Sequence, residues 1–229
     1  MNELVEGSGY VIVNNIIPNN ILNDLYNKLD TTYPVRASSS LKQYAEKDKI
    51  KDLQDISVWW SQLVTDWSEV QQINKLVEYE VLKYLKSALL YASDIVFLKP
   101  KSTWINPHID TPHRFKKYNY NKELLGIQCI IPFFDLDENN GATGLVPSSQ
   151  LKDFSIKLCY QGYYDDYFMQ HCIRPKLNKG DVLLYNCRLL HSSMPNHSNI
   201  IRPALLLNYL DSHIISDVKL LDNIWNSNN

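Results

Sequence analysis

The sequence predicts a mainly β fold with packing helices, of the α+β class. Short apolar, β-branched runs recur through residues 92–210, and turn sequences separate them at 139–141 (Asn-Asn-Gly) and 178–180 (Asn-Lys-Gly). Ahead of them, residues 16–91 carry apolar side chains mainly at the three- and four-residue spacing of amphipathic helices. Strand-like runs without helical crossovers between them favour an antiparallel sandwich or barrel over β-α-β units.

The front of the chain is expected to be mainly helical after one short strand at residues 9–13. Pro18 opens a helix that runs to about Leu29, since proline is favoured at the first helical position. A second helix is predicted from about Ser57, a residue type favoured at N-caps, and a third over about 68–89. The polar interval 31–51 is predicted to be loop, with at most one helical turn.

The rear of the chain is expected to form the sheet. Four further strands are predicted, at residues 93–98, 124–134, 181–185 and 204–209. The Tyr-rich interval 151–179 is weakly periodic and is interpreted as a helix and loop inserted between strands. Because neither a repeat nor a linker-like composition interrupts the chain, one domain over residues 1–229 is predicted, with a helical front (about 16–91) and a β core (about 92–210).

Charge and composition narrow the classes of partner. The net charge is −2, from 23 basic and 25 acidic residues, with no basic stripe, which argues against a nucleic-acid partner. No apolar run is long enough to span a bilayer, and residues 1–10 lack a secretory signal, so the expected location is cytoplasmic. The four cysteines form no C-x-x-C pair and are expected to be free thiols. A small-molecule substrate and a monomer or homodimer are expected.

A metal site is predicted from a His-x-Asp motif, His108-Ile109-Asp110. In an extended segment, residues two apart point to the same side, so both side chains can bind one ion. His191, which follows the apolar run 182–185, is the best candidate for a third ligand. Two histidines and one carboxylate on one face of an octahedron are typical of non-haem iron(II) oxygenases. Taken alone the motif is weak, because a surface histidine beside an acidic residue is the simpler interpretation.

Arg202 strengthens the metal hypothesis because it lies in an apolar, strand-like stretch eleven residues after His191. Arginine binds a carboxylate through two parallel hydrogen bonds, and a chelating 2-oxo acid needs such an anchor for its distal carboxylate. Ser193 offers a hydroxyl near the same end. On its own, Arg202 would be interpreted as a surface residue before Pro203.

Three stretches together resemble the phytanoyl-CoA dioxygenase (PhyH-like) family of 2-oxoglutarate oxygenases. They are the His-x-Asp stretch 104–110, the Asn-Gly…Val-Pro-Ser-Ser-Gln turn 140–150, and the stretch 180–202 with His191 and Arg202. The resemblance implies a double-stranded β-helix (jelly-roll or cupin-like) core. It also implies iron(II) as the cofactor, 2-oxoglutarate and O₂ as co-substrates, and hydroxylation of a C–H bond with release of succinate and CO₂. Residues 148–150, Ser-Ser-Gln, depart from the family's Gly-Ser-His, at positions that are not iron ligands.

The metal ligands and the anchor also separate this hypothesis from its rivals. Halogenases of this type replace the carboxylate by a small residue, so Asp110 favours hydroxylation. A zinc hydrolase or a cupin-type isomerase could use the same three ligands, but it would have no need of Arg202. A β-sandwich that binds a ligand without catalysis remains a further alternative.

Four further residues are proposed for co-substrate and substrate binding. Gln128 is placed near the co-substrate, and His113, Arg114 and Trp104 near the substrate. The alternatives are a hydrogen-bonded core glutamine, a solvated loop pair and a core tryptophan. The interval 151–179 is predicted to fold over the same opening, with packing on the outer face as its alternative.

Overall fold

The computed structural model describes residues 2–32, 59–64, 66–102, 107–110, 123–154 and 162–215. The elements named here are, in chain order, β1 (Tyr10–Val13), α1 (Asn19–Thr32), β2 (Trp59–Leu63), α2 (Ser68–Val81), β3 (Ala88–Leu98), β4 (Gly126–Pro132), β5 (Thr143–Leu145), α3 (Asp165–His171), β6 (Val182–Asn186), β7 (His191–Ser193) and β8 (Arg202–Asp211). Short 3₁₀ turns follow β5 and β8, at Ser149–Leu151 and Ser212–Ile214.

Antiparallel pairing organises the strands into two sheets. The large sheet has six strands in the order β1-β6-β4-β8-β3-β2, and the small sheet pairs β5 with β7. Single bridges extend the small sheet on both sides, from His191 to His108 and from Leu145 to Ile173. The predicted class, mainly β with packing helices, is confirmed. Within the described residues, no helix is both long and apolar enough to cross a membrane.

Two helices cover the outer face of the large sheet. Alternate residues of β4, which include Ile127 and Cys129, point to this face and are fully buried. They pack with apolar residues of α1 and α2 such as Leu22 and Ile73, which recur at helical spacing. Each such side chain stabilises the fold by about 1.5–3 kcal/mol through burial.

The inner face of the large sheet points toward the small sheet. Ile130, Leu183 and Tyr185 of the large sheet pack with Ala142 and Leu145 of the segment that forms β5. This apolar layer excludes water between the sheets. A ligand held there would therefore meet a largely dry environment, in which charges interact more strongly than in bulk water.

Two helix predictions need correction. The second helix, predicted from Ser57, is wrong at residues 59–63, which form β2 and pair with β3 in the register Trp59↔Leu98 to Leu63↔Asp94. The apolar residues there imitate helical spacing, while the pairing partner lies more than thirty residues away. The third helix, predicted over about 68–89, ends at Val81, and residues 88–98 form β3. The loop predicted at 31–51 lies almost entirely outside the described residues.

The turn after β5 ties the N-terminal segment to the sandwich. Ser148 adopts a left-handed conformation, with φ 61°, at the position where the resemblance noted above implies glycine. Its amide donates to the Ser8 carbonyl (2.8 Å), and its hydroxyl donates to the Gly7 carbonyl (3.1 Å). Gln150 Nε2 also donates to the Gly7 carbonyl, at 2.9 Å. The Ser148 and Gln150 side chains therefore bind the chain's own N-terminal segment.

We expect Ser148→Gly to be more stable than Ser148→Ala by about 1 kcal/mol, because only glycine adopts the left-handed conformation without steric cost. Both variants lose the hydroxyl contact to Gly7, so their difference isolates the backbone strain. Urea denaturation of the two variants measures it. Equal unfolding free energies would mean that the turn is not left-handed at Ser148.

Candidate metal centre

Backbone pairing places the His-x-Asp motif beside β7. The amide of His108 donates to the His191 carbonyl at 2.9 Å, and the amide of His191 donates to the His108 carbonyl at 3.0 Å. The amide of Asp110 donates to the carbonyl of Cys187, four residues before His191, at 2.8 Å. Ile109, between the two motif residues, is buried in a separate apolar cluster. The segment is therefore held so that His108 and Asp110 share one side.

The three residues predicted as metal ligands converge in space. One ligand atom from each of His108, Asp110 and His191 lies within 4.8 Å of the others. His191 Nε2 is 3.7 Å from Asp110 Oδ1, and the two imidazole rings are 4.3 Å apart between centroids. Residues separated by about eighty positions in sequence thus form one cluster of two nitrogens and one oxygen.

His191 is oriented for binding through one defined nitrogen. Its Nδ1 lies 2.9 Å from the Leu189 carbonyl, which can only accept, so Nδ1 carries the proton. Nε2 then presents a lone pair toward Asp110. Burial lowers the pKa of His191 to about 4, so the imidazole is neutral at neutral pH. A neutral imidazole with its other nitrogen bonded to a carbonyl is the usual form of a metal-binding histidine.

Asp110 is the residue of the cluster that most needs a cation. Its Oδ2 is buried and has no hydrogen-bond partner among the described residues. Burial raises its pKa to about 6, and the nearby His108 partly offsets this shift. A divalent cation would compensate the buried charge. Two imidazoles and one carboxylate suit a metal that keeps positions open, whereas structural zinc sites are closed by four protein ligands.

Arg202 begins β8 and points into the space between the sheets. Its side chain is buried, and its Nη2 donates to the Gly141 carbonyl. Its Nε has no partner among the described residues. Burial lowers the Arg202 pKa to about 10, which still leaves the guanidinium charged at neutral pH. A buried cation with an unused donor can bind an anion.

The small sheet links the metal cluster to Arg202. Leu145 of β5 pairs with His191, and Thr143 pairs with Ser193. Leu145 lies four positions after Gly141, the contact of Arg202, which is about 13 Å of extended chain. Ser193 lies two residues after His191, so both share one side of β7. Ser193 and Thr143 therefore lie between the metal cluster and Arg202.

Gln128 lies on the inner face of the large sheet, where it pairs with Tyr185 on one side and Asn208 on the other. The ring of Tyr185 packs against that of His191, with centroids 4.8 Å apart. Burial and the charge of Asp110 both raise the pKa of Tyr185, which keeps its hydroxyl protonated. Sequence analysis missed Tyr185, Asn208 and Thr143. Strand alternation indicates which residues share a face, but not which face looks toward the second sheet.

Helix α3 packs away from the metal cluster. Phe168 is fully buried against a cluster that includes Ile109, Leu190 and Met194, which face the opposite side from the metal ligands. For the described residues 162–171, the prediction that interval 151–179 forms the substrate mouth is therefore wrong. Outer-face packing, the stated alternative, is what occurs. Trp104, His113 and Arg114 lie outside the described residues.

The chain belongs to the phytanoyl-CoA dioxygenase (PhyH) family, whose model matches residues 5–204. This match confirms the resemblance that the three sequence stretches carry. No curated protein sequence matches the chain significantly.

Solved structures with the same fold include three proteins of low sequence identity. The epimerase SnoN from nogalamycin biosynthesis, named as non-haem and α-ketoglutarate dependent, is 13% identical with a TM-score of 0.65, over 92% of this chain and 79% of its own. The carbocyclase SnoK is 18% identical with a TM-score of 0.62, over 90% and 80%. HygX from Streptomyces hygroscopicus, solved with nickel and 2-oxoglutarate, is 12% identical with a TM-score of 0.62, over 90% and 84%.

We expect His191→Ala to abolish stoichiometric binding of nickel(II), because it removes one of three converging ligands. His197→Ala is the matched control, since His197 is exposed and lies away from the cluster. Isothermal titration of the protein with nickel(II) measures both. Undiminished binding in His191→Ala would place the metal elsewhere.

Proposed function

We propose that the protein is an iron(II)- and 2-oxoglutarate-dependent dioxygenase that hydroxylates a C–H bond of a small-molecule substrate. The convergence of His108, Asp110 and His191 beside a buried arginine carries this proposal. Membership of the PhyH family supports it, as do the structural neighbours SnoN and HygX, which were solved with Fe³⁺ or nickel and with 2-oxoglutarate or α-ketoglutarate.

The two facing sheets are proposed to form one double-stranded β-helix, within a single domain over residues 1–229. In the large sheet, β3, β8, β4 and β6 are neighbours in that order. Opposite them, β7 is flanked by β5 and by the segment that carries His108. Consecutive strands therefore alternate between the sheets along much of the chain, which supports a jelly-roll winding.

The three ligands would hold iron(II) on one face and leave the other face open. When bound, iron(II) with 2-oxoglutarate and O₂ supplies the oxidation of an unactivated C–H bond, with release of succinate and CO₂. His191 contributes Nε2, because Leu189 fixes the proton on Nδ1. Asp110 would contribute a carboxylate whose Oδ2 has no other partner among the described residues, and its charge would offset part of that of the metal.

Arg202 would anchor the distal carboxylate of 2-oxoglutarate, with Ser193 between the anchor and the metal. The guanidinium is already fixed at one nitrogen by the Gly141 carbonyl and keeps Nε free of other described partners. This geometry pre-orients the arginine, so less conformational entropy is lost on binding. Gln128, which pairs with Tyr185 beside His191, is the remaining proposed polar contact for the co-substrate: its Nε2 would donate to 2-oxoglutarate, which leaves Oε1 available to a second ligand.

Hydroxylation is the proposed outcome because Asp110 occupies the carboxylate position. The named neighbours nevertheless include an epimerase and a carbocyclase, so proteins of this fold are known with outcomes other than hydroxylation. Product mass separates the outcomes. A product heavier than the substrate by one oxygen atom supports hydroxylation. A product of unchanged mass, or one lighter by two hydrogen atoms, would mean that the reaction has a different outcome.

Succinate formation tests the proposed activity directly. The protein is loaded anaerobically with iron(II) and 2-oxoglutarate, exposed to O₂ with a panel of metabolites, and assayed for succinate and for product. His191→Ala should form none. Zinc-loaded protein that turns over a substrate without 2-oxoglutarate would support a different metal enzyme, and failure to bind any metal would support a non-catalytic protein.

We expect Arg202→Lys to weaken 2-oxoglutarate binding at least tenfold, or about 1.4 kcal/mol, because lysine keeps the charge but loses the two-pronged geometry. Arg174→Lys is the matched control, since Arg174 lies beside Cys172 on the outer side. Titration of the nickel-loaded proteins with 2-oxoglutarate measures both affinities. Equal affinity for wild type and Arg202→Lys would move the anchor elsewhere.

The loop after Asp110 remains the predicted substrate mouth, with His113 and Arg114 as its polar residues and Trp104 nearby. This prediction rests on the sequence, in which these residues precede or follow the proposed metal ligands by a few positions. Replacing His113 and Arg114 with alanine should lower substrate-coupled succinate formation while nickel and 2-oxoglutarate still bind. Unchanged turnover of the true substrate would locate the mouth elsewhere.

A further inference from the structure

We propose that Asp94, Asn208 and Gln128 form a polar subsite for an amino group, and that the substrate is accordingly an amine-bearing polar molecule. This inference rests on the proposed function, since it names the substrate class of the same cavity. Three observations carry it: the strand register that aligns the residues, the lack of partners for their side-chain oxygens among the described residues, and the negative charge of Asp94.

The strand register places the subsite on the inner face of the large sheet. Asn208 of β8 lies directly between Ala92 of β3 and Gln128 of β4, and Gln128 is followed by Tyr185 of β6. Asp94 lies two residues from Ala92, opposite Leu206. Neighbouring strands are about 4.8 Å apart, so these side chains are close enough to contact one ligand.

Asp94 shares the inner face with the apolar layer between the sheets. Its partner in the register, Leu206, packs against the buried cluster that contains Ile130 and Leu183. Residues directly opposite each other in an antiparallel pair point to the same face. The carboxylate of Asp94 is therefore directed toward the space that contains the metal cluster.

The two amides have hydrogen-bonding capacity that the protein does not use. Gln128 is only 8% exposed, and its Oε1 is buried without a partner among the described residues. Oδ1 of Asn208, on the adjacent strand, is buried and unpartnered in the same way. Buried polar atoms are almost always hydrogen-bonded in folded proteins. Two such acceptor atoms on paired residues of the inner face are available to a donor group of a ligand.

The charge of Asp94 selects the ligand. Burial raises the pKa of its carboxyl, and in the part of the chain that the structure describes no cation pairs with it. The buried cation Arg202 begins β8, the strand that also carries Asn208. In the pairing of β3 with β8, Arg202 lies four positions from Asp94, about 13 Å away along the strand. An ammonium group would pair with the carboxylate and donate to the amide oxygens. A neutral polyol would leave Asp94 unpaired, and an anion would be repelled.

The subsite and the co-substrate anchor lie in different directions from the metal cluster. Ser193 leads from His191 toward Arg202, whereas Tyr185 leads from His191 to Gln128 and Asn208. From Tyr185 to Asp94 is three strand spacings, about 14 Å. The substrate would therefore span the width of the sheet, with its amine at Asp94 and its oxidised carbon near Tyr185, several bonds from the nitrogen.

Binding to the nickel- and 2-oxoglutarate-loaded protein tests the proposal without requiring turnover. The probes are spermidine and glucosamine, each titrated beside its fully N-acetylated counterpart, which keeps the skeleton but removes every ammonium charge. We expect at least one amine to bind at least tenfold more tightly than its acetylated form. A panel in which no amine is preferred over its counterpart overturns the proposal.

Substitution of Asp94 locates the preference. Asp94→Asn keeps the shape, so it should abolish the preference for the amine while leaving the affinity for 2-oxoglutarate unchanged. Asp66→Asn, at an exposed acidic residue, is the matched control and should retain the preference. If the Asp94→Asn variant still binds the amine more tightly than its acetylated form, the proposal is overturned. A wild-type protein that does not bind 2-oxoglutarate would instead contradict the proposed function. Failure of the amine subsite and failure of the proposed function are therefore distinguishable.

Folding of the variants is checked by urea denaturation in the absence of amines. Because Asp94 has no partner among the described residues, Asp94→Asn should unfold at the same or higher urea concentration than wild type. A marked loss of stability would mean that the carboxylate serves the fold, and would overturn its assignment to a ligand.

Discussion

The reciprocal backbone hydrogen bonds between His108 and His191 are the contact on which the rest of the site depends. They hold a short extended segment along β7 and fix which residues of that segment look inward. Without this contact, His108 and Asp110 would have no fixed relation to His191. The chain achieves the proposed metal site through pairing of main-chain groups, and the side chains then converge because residues two apart in extended backbone share a side.

The space between the sheets combines an apolar layer with a few buried charges that the protein leaves incompletely paired. Asp110 and Arg202 lie toward different ends of this space, and each has an atom without a partner among the described residues. Buried charges of this kind are costly unless something compensates them. A cation at Asp110 and a carboxylate at Arg202 would compensate both, so the energetic demand of the fold and the chemistry of the proposed reaction coincide.

Sequence reasoning found the three converging residues, Arg202 and most strands, because each has a local signature: a dipeptide spacing, a planar donor, or a β-branched run. It failed where the deciding partner is remote. Strand β2 imitates helical spacing and is fixed by its pairing to β3. Helix α3 packs on the outer face because Phe168 fits against Gly144 and Met194, which no local pattern indicates. Tyr185, Asn208 and Asp94 were missed because the facing of a sheet is set by the second sheet.

The most direct test of the proposed iron site is anomalous diffraction at the iron edge from crystals soaked anaerobically with iron(II) and 2-oxoglutarate. We expect one peak at about 2.0–2.2 Å from His108, Asp110 and His191 together, as such ligands bind first-row metals. 2-Oxoglutarate should extend from it toward Arg202. A peak bound by other residues, or the absence of any peak between the three, would contradict this account.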